Sequence, residues 1–287
     1  MSSLLLRSVL YMPAINERAL TKARTLDVDA IIADLEDGVA VSKKEEARFI
    51  VANAFSKDYG HRFKVLRVNG LSSPYTDEDL QLATKINPDA VLFTKIDSIE
   101  LLKAALDRLD GLGGSALPIW LMVETPFSVL NIEKLAQNKR VTCLVMGTND
   151  LGYALRSKYT VSRKQFLYSF SRVILAARAN GQTVLDGVYP NIGDKEGFVY
   201  FCKQGRELGF DGVTLIHPSQ IASANLEYGI SLQEVEWARK VNLAWDEARK
   251  KGLGVATVDG WFIENLHVDE AKRILELNDI LNERSHI

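Results

Sequence analysis

The chain has 287 residues, of which 47% are hydrophobic, 25% charged and 8% aromatic, and its formal net charge is −2. That is the composition of an ordinary globular protein able to fill a large core. Its acids and bases are interspersed without the basic stripe of a nucleic-acid binder, and no apolar run reaches the roughly 20 residues that span a bilayer.

The opening "MSSLLLRSVLYMP" has neither a basic segment before its apolar patch nor a small-residue cleavage site after it, so no secretory signal is expected. Two cysteines, Cys143 in an apolar run and Cys202 in a helical pattern, suggest neither a disulfide framework nor a zinc site and fit a reducing cytoplasm. Short, β-branched runs then recur along the chain: "SVLYM" (8–12), "AIIADL" (30–35), "KVLRV" (64–68), "AVLFTK" (90–95), "IWLMVE" (119–124), "VTCLVMG" (141–147), "TVLDGVY" (183–189) and "GVTLI" (212–216). Near-continuous apolar runs of this length read as parallel strands buried on both faces. The intervening segments read as helices. "SKKEEARFIVANAF" opens with Ser42 and Glu45 spaced as a capping box, and "SRKQFLYSFSRVILAARANG" closes on Gly181. Strand and helix alternating eight times predict a (β/α)8 TIM barrel over residues 1–230. The competing doubly wound sheet would call for a G-x-G-x-x-G turn after an early strand, and there is none. The remainder, 231–287, reads as a helix–hairpin–helix appendage: "LQEVEWARKVNLAWDEARKKG", a hairpin turning at Asp259-Gly260, and "HVDEAKRILELNDILNE". It is expected to cap its own barrel or reach a neighbouring subunit.

In such barrels the C-terminal strand ends carry the active site. Here they supply Pro13, Glu36, Asp37, Arg67, Asn69, Lys95, Glu124, Asp150, Asp186 and His217. Glu124 and Asp150, on neighbouring strands, are two hard oxygen donors of the kind that holds Mg²⁺ with part of its water shell. The plainer reading pairs Glu124 with Lys95 and makes Asp150 a helix cap, but leaves the nearby Glu36 and Asp37 unexplained. Arg67 reads as a fixed guanidinium for an enolate or carboxylate oxygen, or else as an ion-pair partner of Glu36, Asp37 or Glu124. His217 reads as architectural. Lys43, Lys44 and Arg48 read as a solvated face that could also meet the phosphates of a large substrate.

The chain resembles the citrate lyase β-subunit-like proteins, which include malyl-CoA and citramalyl-CoA lyases. The resemblance rests on "RSVLYMP" (7–13), "DLEDGVAVSKKEEAR" (34–48), "LRVNG" (66–70), "MVETPFSVLNI" (122–132), "MGTNDL" (146–151) and "LGFDGVTLIHPSQI" (208–221). It implies a Mg²⁺-dependent lyase, with Mn²⁺ as a substitute, that cleaves or forms a carbon–carbon bond between an acyl-CoA thioester and a small 2-oxo acid. The implied assembly is a homotrimer or homohexamer. Carried over by position, Glu124 and Asp150 become metal ligands, and Glu36 and Asp37 acceptors for metal-bound water. Arg67 contacts the oxo-acid and thioester oxygens, and the backbone of Gly147, Thr148 and Asn149 lines the substrate carboxylate. The family's proton-transferring Asp, in the appended segment, is matched here by Glu264, one methylene longer. That departure keeps a malyl-CoA-type thioesterase in view beside the lyase. A citrate lyase β subunit acting on citryl-acyl-carrier protein, a metal-dependent aldolase for free 2-oxo acids and a non-catalytic acyl-CoA-binding assembly protein also stay open.

Overall fold

The computed structural model describes residues 5–285. Eight strands, β1 (Ser8–Pro13), β2 (Ala30–Asp34), β3 (Phe63–Arg67), β4 (Ala90–Phe93), β5 (Ile119–Val123), β6 (Val141–Met146), β7 (Thr183–Asp186) and β8 (Gly212–Leu215), pair in parallel and in sequence order into a closed barrel. The expected (β/α)8 TIM barrel is the fold. Each strand coincides with its apolar run to within one residue at the ends of β1 and β3, because a strand buried on both faces favours apolar residues along its length.

Alternation divides those residues into two layers. One row, Val9, Ala30, Ile32, Val65, Leu92, Trp120, Met122, Cys143, Val145 and Leu185 among them, fills the barrel interior, with Phe63 stacked on Trp120 at 5.7 Å. The opposite row packs against the helices. The ring closes where β8 meets β1 through Ser8↔Val213, Val9↔Thr214 and Leu10↔Leu215. There a Cβ added to Gly212 would stand 1.8 Å from the Leu6 carbonyl oxygen, so glycine is the residue that lets the seam close.

The helix Leu167–Asn180 stops at Gly181, whose φ of +68° is left-handed as its C-terminal position demands. The capping box expected at Ser42 and Glu45 does not form. The chain enters that helix through a 3-10 turn, Val41–Lys43, so Ser42 lies inside the turn and the α-helix begins at Lys44 with no side-chain cap.

Residues 229–285 make a second compact unit together with Leu5. Its helix Leu232–Lys250 begins with a capping box of Ser231 and Glu234. Strands β9 (Ala256–Val258) and β10 (Trp261–Ile263) form an antiparallel hairpin whose two turn residues, Asp259 and Gly260, have φ of +51° and +83°. Two successive positive φ values are the type I′ geometry that Asp-Gly favours. The helix Asn265–Ser285 follows, and Val241, Trp245, Ile263, Val268 and Ile274 form this unit's own core. Among the described residues no helix is long and apolar enough to cross a membrane.

Candidate active site

Following the inward row toward the C-terminal ends of the strands reaches Tyr11, Asp34 and Arg67 within them, and Thr94, Glu124 and Gly147 just beyond. The period-2 rule therefore turns these positions to the inner face of the barrel. All of them but Thr94 line a cavity of about 400 Å³ whose wall includes Tyr11, Asp34, Asp37, Arg67, Glu124 and Asp150. Gly147, Thr148 and Asn149 line it too. Of the barrel residues to which the resemblance gives a role, all line this cavity except Glu36, which is buried; of the other polar strand-end residues, Asn69, Lys95, Asp186 and His217 lie outside its lining. Glu264 belongs to the C-terminal unit, exposed and immediately before the helix Asn265–Ser285.

Glu124 is buried, and its Oε1 accepts the Lys95 backbone N–H at 3.0 Å. Lys95 holds a left-handed φ of +56°, a strained conformation for a lysine that aims this N–H at the carboxylate. Burial, a hydrogen bond with the Asp150 carboxyl and the charges of Glu36 and Asp150 push the Glu124 carboxyl up to about 8. Two carboxyls in hydrogen-bonding reach, one of them retaining its proton, are a site that a cation would relieve. Asp150 lies in the first turn of the helix Thr148–Ala154 and makes no N-cap hydrogen bond. The Lys95 ammonium goes to Glu36 Oε1 at 2.8 Å. Burial lowers the Lys95 pKa, but the hydrogen bond to Glu36 and the charges of Glu36, Asp37 and Glu124 outweigh it and raise it.

These residues fit a divalent cation with oxygen preference. Glu36 Oε2 is buried without a hydrogen-bond partner among the described residues, with Arg67 Nη1 standing 3.3 Å away. A Cβ on Gly147 would lie 2.4 Å from Glu124 Cβ and 3.2 Å from its Oε2, so the bare backbone there makes room for the carboxylate. Among the described residues no cluster of three His, Cys, Asp or Glu side chains could hold a metal by itself. Two carboxylates with water and substrate oxygens completing the shell are the usual Mg²⁺ arrangement.

Arg67 donates from Nε to Asp34 Oδ1 at 2.7 Å and from Nη2 to Asp34 Oδ2 at 2.6 Å, and its guanidinium lies 5.1 Å from the centre of the Tyr11 ring. Burial works against its charge, but the Asp34 hydrogen bonds and the charges of Asp34, Tyr11 and Glu36 hold its pKa above the ordinary arginine value. The ion-pair reading of Arg67 is thus realised, chiefly with Asp34, a residue the motif contains but whose role sequence reasoning missed. Tyr11 was missed as well; burial pushes its phenol well above the usual range.

Three sequence readings need correction. Lys44 is not solvated: it is buried and its ammonium donates to the Leu35 and Glu36 carbonyls, both at 2.6 Å, and to Asn69 Oδ1 at 2.9 Å. Arg48 likewise pairs with the buried Asp79 at 3.0 Å. Asp186 does not join the mouth. It falls on the outward row, fully buried, and both its oxygens accept from Arg163 Nη1 at 2.8 and 2.6 Å. His217 is architectural as read, its Nδ1 accepting the Ser219 N–H at 3.2 Å at the start of a 3-10 turn.

The model of the HpcH/HpaI aldolase/citrate lyase family matches residues 7–218. Over 270 residues, 94% of this chain and 93% of the relative, the sequence is 43% identical to a (3S)-malyl-CoA thioesterase of Cereibacter sphaeroides. It is 29% identical, over 97% of this chain and 87% of the relative, to the mitochondrial citramalyl-CoA lyase of Homo sapiens. The structure of protein CitE from Mycobacterium tuberculosis in complex with magnesium, acetoacetate and coenzyme A superposes with a TM-score of 0.76 at 26% identity, covering 94% of this chain and 98% of that one. With the barrel, its motif-bearing strand ends and these likenesses in place, the chain belongs to the HpcH/HpaI aldolase/citrate lyase family of enzymes.

Proposed function

We propose that the protein is a Mg²⁺-dependent hydrolase of malyl-CoA-type β-hydroxyacyl thioesters, releasing free CoA and a hydroxy diacid. The observation that carries the metal-site reading is the pair Glu124 and Asp150, two carboxyls within hydrogen-bonding reach at the mouth of the same cavity as Arg67. The 43% identity to a (3S)-malyl-CoA thioesterase supports hydrolysis as the reaction.

Glu124 and Asp150 would hold the ion, which when bound supplies positive charge for the carboxylate and hydroxyl oxygens of the malyl group. Arg67 binds the thioester oxygen and stabilises the charge that grows there as water adds to the carbonyl carbon. The backbone N–H groups around Gly147, Thr148 and Asn149 orient the substrate carboxylate. Glu36 and Asp37 order water beside the ligands. Glu264 accepts the proton of the attacking water, after which the C–S bond breaks and CoA departs as its thiolate.

A second reading uses the same residues for carbon–carbon cleavage to an acyl-CoA and a 2-oxo acid, with Glu264 protonating the enolate carbon. The family membership and the likeness to a citramalyl-CoA lyase favour it. A cytoplasmic homotrimer or homohexamer belongs to both readings.

The test is to incubate the protein with malyl-CoA and citramalyl-CoA, with Mg²⁺ and with excess EDTA, and to measure free thiol and 2-oxo acid together. Free CoA without oxo acid, abolished by EDTA, is the expected result. Stoichiometric glyoxylate or pyruvate with no free thiol would replace hydrolysis by the lyase reading, and turnover that survives EDTA would remove the metal from both.

A further inference from the structure

We infer that Asp34 is the positioning residue of the site, fixing the Arg67 guanidinium and the acidic 36–38 loop to one another, and that position 38 is glycine because Asp34 occupies the space a side chain would need. The inference deepens the proposed function and rests on it for the role given to Arg67.

Asp34 ends β2, is buried, and lies directly opposite Arg67 in the parallel register with β3. Each of its oxygens makes two bonds, one to the guanidinium and one to the loop. Oδ1 accepts from Arg67 Nε at 2.7 Å and from the Glu36 N–H at 2.8 Å. Oδ2 accepts from Arg67 Nη2 at 2.6 Å and from the Gly38 N–H at 2.9 Å. A carboxylate has about four lone-pair sites, so Asp34 has no capacity left to act as a base or a metal ligand. The four bonds offset the cost of burying its charge.

The arrangement leaves Arg67 little freedom. Two parallel N–H···O bonds fix the plane of the fork, and Tyr11 covers one face at 5.1 Å. Nη1, which stands 3.3 Å from Glu36 Oε2, and the second Nη2 N–H are the groups Asp34 does not engage, and they face a ligand in the cavity that Arg67 lines. Because the same carboxylate also sets the Glu36 and Gly38 amides, the guanidinium and the loop carrying Glu36 and Asp37 cannot shift independently. A Cβ at position 38 would lie 2.5 Å from Asp34 Oδ2 and 3.3 Å from its Cγ, so even alanine would push the clamp off Arg67.

The experiment uses the full chain labelled with ¹⁵N-arginine. The Arg67 Nε–H signal is assigned by its loss in Arg67→Lys and compared among wild type, Asp34→Asn and Gly38→Ala. In parallel, kcat and KM of wild type, Asp34→Asn, Arg67→Lys and the double variant are measured on whichever thioester the wild type turns over. Asn would place an amide donor against two N–H groups, while Ala at 38 changes no hydrogen-bonding group. The expected result is a shifted, slowly exchanging Nε–H in the wild type that is lost in Asp34→Asn and weakened in Gly38→Ala. It is accompanied by a fall in kcat of roughly 10- to 100-fold in Asp34→Asn, as small misplacements of a charge-stabilising group produce, and by no further fall when Asp34→Asn is added to Arg67→Lys. A merely structural Asp34 would lower thermal stability, leave the Arg67 signal where it was and give additive kinetics, and that outcome overturns the inference. If Asp34→Asn does not fold, an unchanged Nε–H in Gly38→Ala overturns it equally. A wild type inactive on every thioester would defeat the proposed function, while the Nε–H comparison still decides the role of Asp34.

Discussion

An isolated glutamate ionises near pH 4.5, whereas Glu124 keeps its proton to about 8 because burial, the hydrogen bond with Asp150 and the nearby Glu36 charge all disfavour the anion. In the metal-free protein the sign follows directly. The folded pKa lies above the unfolded one, so this group's stabilisation is complete below about 4.5 and disappears as pH rises through about 8. The melting temperature of the EDTA-treated protein is therefore expected to fall across that window more steeply than that of Glu124→Gln, and Mg²⁺ is expected to restore it at the upper end. Equal slopes for the two proteins in differential scanning calorimetry would contradict the assignment. Single residues are also where sequence reasoning reached least far. Lys44 looks solvated in "SKKEEAR" because nothing local shows that its helix runs beneath the end of β2, where three acceptors meet the ammonium. Burial still lowers its pKa, despite the charges of Asp79, Asp34, Glu36 and Asp37. Asp186 is similar, since its partner Arg163 comes from a loop more than twenty residues earlier.

At the scale of strands and helices the sequence was far more legible. Eight buried parallel strands are eight apolar runs, and each run contains its strand except that β1 extends one residue later, to Pro13, and β3 begins one residue earlier, at Phe63. The Asp259-Gly260 turn forms as its residue types require. What the runs did not state was register. Once β2 and β3 are aligned, Asp34 faces Arg67 and the clamp follows, but alignment is a property of two strands and neither carries it alone. Register also explains why a glycine follows β6. Gly147 passes so close to β5 that a Cβ would sit 2.4 Å from Glu124 Cβ. Gly147→Ala is expected to displace the Glu124 carboxylate and weaken apparent Mg²⁺ affinity roughly 10-fold or more, in line with the sensitivity of metal sites to their supporting groups. Isothermal titration of the variant with Mg²⁺ measures this, and wild-type affinity would show that Glu124 does not depend on the close approach.

At the scale of the molecule, the barrel unit contains every candidate site residue except Glu264, which lies in the C-terminal unit. The two carry separable tasks under the proposed function, binding in one and proton transfer in the other. Glu264→Gln is accordingly expected to lower kcat by about 100-fold or more, within the usual range for a general acid or base, while Mg²⁺ affinity and KM stay near wild type. Steady-state kinetics beside a metal titration would reveal it, and a kcat within a few-fold of wild type would reassign the proton to another group.

The seam between β1 and β8 sets a timetable for how this chain comes into being. β1 can pair with β2 only once residue 34 has emerged, and its other edge waits for Val213, Thr214 and Leu215, more than 170 residues later. At bacterial or eukaryotic elongation speeds of roughly 5–20 residues per second, that edge stays open for about ten seconds or more. Throughout that interval the nascent sheet presents an unpaired, apolar rim of the kind that invites other chains. Gly212, the first residue of the last strand, is the narrow point through which the ring must finally slide shut. Crowding it would prolong the vulnerable interval beyond the time elongation imposes, with the strand-end chemistry unassembled until the ring closes.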